Sequence, residues 1–133
     1  MSRLFIKFLL FELAVIPTVV LIFKSVSDRI VAGAMAGTVF VAIGAWIFIS
    51  GLRDVKIRRS PTFVMACVHL FGVALPMMIT RLLNQSIAFQ EVKIWGLPGP
   101  AFHSLSTGVY FVLLAATLLD AVRHWRKSAA AKN

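Results

Sequence analysis

Glu12 stands inside an apolar run, at Phe11-Glu12-Leu13. A charged carboxylate in such a segment is expensive and normally has a partner or carries a function. Lys7 is five residues away, a spacing that places the two poorly for pairing on one helical face. A better candidate is His69, which lies some way into a third apolar run. At 1.5 Å rise per residue, Glu12 is roughly 6–12 Å deep and His69 about 12 Å deep from the same side. The first and third runs point the same way, so the two side chains can share a depth. A Glu12–His69 contact would be a proton-linked ion or substrate site, or a buried structural bond; the plainer alternative is that Glu12 is protonated or reaches headgroup-level water while His69 bonds a neighbouring hydroxyl.

A second polar group follows the third run: Arg81, Asn84 and Glu91, with His103 shortly after. Thr80, Gln85, Gln90, Lys93, Ser104, Ser106 and Thr107 accompany them. These residues are candidates for a binding or docking surface on the outer face. The plainer alternative is a solvated connector held at the headgroups by Arg81 and Trp95. Its stretch Ser86–Ile94 reads as an interfacial helix or a short ribbon lying on the membrane.

Other chemistries find no support in the residue pattern. His103-Ser104 is adjacency, and neighbours on a helix point in different directions, so no Ser–His–acid arrangement follows. His69 and His103 should be offset by about 15–20 Å along the helix axes, too far for a shared haem. The His-x-x-x-His and Glu-x-x-His spacings of zinc enzymes are absent from the sequence. The single cysteine, Cys67, reads as a small buried hydrophobe. We therefore expect no cofactor and no metal. Asp120 and His124, four apart, read as a local ion pair or hydrogen bond.

The elements that carry these residues are set by composition. The chain has 133 residues, 59% hydrophobic and only 14% charged. Soluble domains are about 45–50% apolar and about a quarter charged, so this is the composition of a polytopic membrane protein. Four apolar runs have the roughly 20 residues that a spanning helix needs. They are Leu4–Phe23, Ile30–Leu52, Pro61–Thr80 and Ala101–Val122. The expected fold is all-α, one domain built as a four-transmembrane-helix bundle. Leu4–Phe23 lacks a signal-peptide cleavage site and is expected to be a retained helix. Ser60-Pro61 should start the third helix, with a cap residue before proline. Gly96-Leu97-Pro98-Gly99-Pro100 should be a turn. Pro17 and Pro76 should kink their helices and face protein, where the freed carbonyls can find partners. Ser128–Asn133 reads as a small frayed tail.

Gly33, Gly37, Gly44 and Gly51 fall on one face of the second run. At 100° per residue they lie within roughly 40° of one another. Small residues let helix backbones approach closely, so these four are candidate helix-packing residues. The partner is either another helix of this chain, or a second copy or a different protein.

The net charge is +9. No basic stripe alternates with aromatics on a soluble face, so nucleic acid is not expected as a partner and membrane lipids are. Ten of the fourteen Lys and Arg fall at the N-terminus, the second loop and the C-terminus. The positive-inside rule then puts both termini in the cytoplasm, with the chain multi-pass in the inner (cytoplasmic) membrane. Trp46, Trp95 and Trp125 are candidate interface anchors. The leading functional expectation is a small non-enzymatic subunit or accessory protein that works by packing against itself or a partner. The alternative is an oligomeric small-molecule or ion transporter or channel using Glu12 and His69.

Overall fold

A backbone in hydrocarbon has no water to bond, so each apolar run closes its hydrogen bonds internally as a helix. A computed structural model describes residues 2–130. Its elements are α1 (Ser2–Ser25), α2 (Arg29–Arg53), the short α3 (Val55–Arg58), α4 (Pro61–His69), α5 (Leu75–Leu83), β1 (Lys93–Ile94), β2 (Leu97–Pro98) and α6 (Gly99–Ala130). One π-helical turn, Leu70–Ala74, joins α4 to α5, so that Pro61–Leu83 is a single span. Four helices are long and apolar enough to cross a membrane: α1, α2, the α4–α5 span and α6.

The starts of these helices are chemically marked. Asp28 caps α2, accepting hydrogen bonds from the backbone N–H groups of Ile30 and Val31. Ser60 caps α4 through Phe63 N–H at 3.2 Å, with Pro61 in the first turn as expected. The π turn precedes Pro76, which has no N–H to give to Gly72. The backbone widens there, and Leu75 N–H reaches back to Leu70 instead. Proline is thus absorbed by a π turn beside His69, where the sequence predicts a simple kink. Pro17 differs from expectation, because it lies on the exposed side of α1. The buried stripe of that helix is Phe5, Phe8, Glu12 and Val15, and Pro17 is about 140° round from Glu12.

The helices alternate in direction. Phe5 near the start of α1 stacks on His124 near the end of α6, with ring centroids 4.7 Å apart. The start of α4 meets the end of α6 through Thr62 and Asp120. Both described chain ends therefore lie at one end of the bundle, here the termini end, and the hairpin lies at the other. The main core joins Phe5, Phe8, Ile43, Ile47, Ala66, Tyr110 and Leu113. A smaller cluster at the hairpin end joins Val73, Val92, Ile94 and Phe102. Trp46 is packed edge-on against Phe8 and Phe11, whereas Trp95 and Trp125 are exposed.

Three of the four aligned glycines pack against the third span of the same chain. A side-chain carbon at Gly37 would meet Met78, at Gly44 it would meet Leu70, and at Gly51 it would meet Phe63. Gly33 departs from the helix-packing role expected of it, since nothing lies within 4 Å of where its side chain would begin. At that level the helices part around a cavity, described below.

The connector after α5 contains a ribbon. β1 and β2 pair antiparallel, Lys93 with Pro98 and Ile94 with Leu97. Trp95 and Gly96 form its two-residue turn with φ of 54° and 80°. Two positive φ values are what a tight hairpin of right-handed twist requires. Of the expected turn Gly96–Pro100, the last two residues instead open α6, where the missing proline N–H costs nothing. At its other end α6 continues through Ser128 to Ala130, where a frayed tail is predicted; residues 131–133 lie outside the described residues.

Candidate functional site

Glu12, fully buried on α1, does not meet His69. Its Oε1 accepts a hydrogen bond from Thr117 Oγ1 of α6 at 2.8 Å. Its backbone carbonyl accepts the hydroxyl of Tyr110, also on α6. Tyr110 in turn lies beside His69, with ring centroids 5.5 Å apart, and Phe40 flanks both rings. The two candidate residues share a depth but are separated by an aromatic side chain from a third helix. Among the described residues, Glu12 Oε2 and His69 Nδ1 have no hydrogen-bond partner. Glu12→Gln keeps an acceptor for Thr117 and removes the burden of a buried charge. Its thermal unfolding in detergent is expected to stay within about 1 kcal/mol of wild type. A loss above about 3 kcal/mol would show that the carboxylate itself holds α1 to α6.

Asp120 meets His124 by a local hydrogen bond, as its spacing suggests, but through its backbone carbonyl, and its carboxylate has another partner. Its Oδ2 accepts from Thr62 N–H at 3.0 Å and from Thr62 Oγ1 at 2.7 Å. His124 Nδ1 lies 2.8 Å from the Asp120 backbone carbonyl, not its carboxylate. The carboxylate of α6 therefore caps the first turn of α4 from outside, where free N–H groups and the helix dipole favour an anion. Sequence spacing within one helix could not reveal this. The available signal was an acid near the end of one run and an N-terminal Ser-Pro-Thr at the same level of another.

A cavity of about 520 Å³ lies in the hairpin half of the bundle. All four spans contribute to it. Val19, Phe23, Ala36, Phe40 and Met77 give it apolar walls, and Gly33 opens onto it. His69 and Tyr110 lie at its deep end, near mid-span. Arg29, Arg81, Phe89 and His103 lie at its other end, where the helices terminate. Its volume falls in the range of sites that enclose one drug-sized molecule.

The predicted outer-face group divides here. Arg81 and His103 line the cavity, while Asn84 and Glu91 do not. Asn84 ends α5, its amide donating to the Thr80 carbonyl at 2.9 Å. Glu91 is exposed on the connector. Arg29, at the start of α2, and Tyr110, on α6, are cavity residues that sequence reasoning missed. Arg29 reads there only as a loop cation, and nothing in its own neighbourhood signals a cavity. No protein-family model, no curated protein and no solved structure matches this chain.

Proposed function

We propose that this is a non-enzymatic membrane protein that binds one lipophilic molecule between its helices. The observation that carries the reading is the cavity: mostly apolar, large enough for one ligand, and built from all four spans. Such pre-formed concave sites, apolar with a few polar groups, are what small-molecule binding uses. Self-association through the glycine face has less support, because Gly37, Gly44 and Gly51 are already covered by the chain's own third span. Transport through a joint Glu12–His69 site has less support as well, because Tyr110 stands beside both and Glu12 is buried on Thr117. The distribution of Lys and Arg supports a cytoplasmic membrane with the termini inside, so that the cavity end carrying Arg81 faces outward.

Gly33→Phe tests the reading. A side chain begins there in open space on the cavity wall, so a ring at this position takes up room inside the cavity. Protein purified in mild detergent is expected to retain a lipophilic small molecule, detectable by mass spectrometry. The variant is expected to fold as wild type and to retain at least tenfold less. Equal retention by both proteins would place the ligand elsewhere and overturn the reading.

A further inference from the structure

We propose that the ligand is a single-chain amphiphile with an anionic head, its chain in the apolar part of the cavity and its head at Arg81 and Arg29. This rests on the cavity being a binding site. Arg81 is half-buried, and its Nη1 has no hydrogen-bond partner among the described residues. Its guanidinium carbon sits 5.1 Å from the centroid of the Phe89 ring. A cation removed from water needs a compensating partner, and no carboxylate among the described residues supplies one. Asp28 caps α2, Asp54 caps α3, Asp120 holds Thr62, Glu12 holds Thr117 and Glu91 is exposed on the connector. Among the described residues that line the cavity, none is acidic.

Arg29 adds a second positive charge to the same cavity, with Nη1 donating to the Phe23 carbonyl at 3.3 Å. Ser106 and Thr107 bring hydroxyls to that end. The polarity is therefore graded along one axis. Cations lie where the helices end, at headgroup depth, and methyl, methionine and aromatic surfaces lie where hydrocarbon would be. A free inorganic anion would leave the apolar part empty, and an uncharged hydrocarbon would leave Arg81 unpaired. An oxyanion on an acyl or alkyl chain satisfies both, and guanidinium binds carboxylate and phosphate alike through paired N–H donors. The volume suits one chain and not a whole two-chain lipid.

The test uses the full chain in nanodiscs of zwitterionic phosphatidylcholine, with bound ligand read by native mass spectrometry. The probes are hexadecanoate, hexadecyl phosphate, hexadecanol and inorganic phosphate. Wild type is expected to bind one or both of the anionic amphiphiles at least tenfold more tightly than hexadecanol, and inorganic phosphate least. Whichever anion binds tighter tells a carboxylate source from a phosphate source. Arg81→Gln is expected to abolish the preference while hexadecanol binding persists, and Arg81→Lys to keep part of it. Gly33→Phe should exclude every chain. Hexadecanol binding as tightly as the anions, and lost in Gly33→Phe, would overturn the anionic head and leave the cavity reading intact. No probe binding, or binding that Gly33→Phe does not reduce, would overturn both. Inorganic phosphate binding as well as its alkyl ester would overturn the role of the chain.

Discussion

Asp120→Ala is expected to lower the unfolding free energy by about 2–4 kcal/mol. One carboxylate oxygen takes two hydrogen bonds from Thr62, both buried, and hydrogen bonds to a charged group are worth about 1.5–3 kcal/mol each before relaxation. Alanine leaves the Thr62 N–H and hydroxyl in an apolar setting with nothing to bond. Asn at 120 retains an acceptor oxygen without the charge, so its loss should be about half as large. Thr62→Val removes the hydroxyl bond but keeps the backbone bond. A double-mutant cycle between Asp120→Ala and Thr62→Val, followed by thermal or denaturant unfolding in detergent, isolates the side-chain pair. Strict additivity of the two changes would mean that the Thr62 hydroxyl bond to Asp120 contributes nothing to stability.

Gly51→Ala and Gly33→Ala should separate although both lie on one face of α2. At Gly51 an added carbon would sit 2.2 Å from the Phe63 ring. That ring is held in a near-parallel stack on Phe48, with centroids 5.9 Å apart and planes 11° from parallel. Relief requires α2 and α4 to move apart or the stack to break, a disturbance of about 1–3 kcal/mol or more. At Gly33 the same carbon meets open space, and alanine gains about 0.5–1 kcal/mol of helix propensity. The expected result is a lower midpoint for Gly51→Ala and an equal or higher one for Gly33→Ala. Matching effects at both positions would contradict the intramolecular packing of the stripe.

The bundle was legible because its causes are local. Apolar runs of spanning length, Ser60-Pro61 and the clustered cations act through their own segments. The site was harder, since it depends on rotation of each helix about its axis. Glu12 and His69 were matched in depth, but depth does not tell that Tyr110 of α6 falls beside both. Spacing pairs Asp120 with His124, and the two do meet through a backbone carbonyl, but spacing cannot show that the carboxylate points to another helix. The cavity was invisible for a similar reason: it is a place where four surfaces fail to meet, and Gly33 carries no mark that sets it apart from Gly37. Trp95-Gly96 lacks the usual Asn-Gly turn signature, so the sequence leaves the ribbon as one of two alternatives, and the positive φ at both residues marks the hairpin turn.

α6 runs unbroken for 32 residues, about 48 Å against a hydrocarbon thickness near 30 Å. The stretch from His103 to Phe111 borders the cavity, and the helix's far end carries Arg123, Arg126 and Lys127 beyond the core. A helix so continuous is a lever. Pivoting it by about 5° at Tyr110 shifts Ala130, some 30 Å away, by about 2.6 Å. In the binding reading proposed above, a ligand lying against Tyr110 would bear on the same unbroken helix that carries these cations.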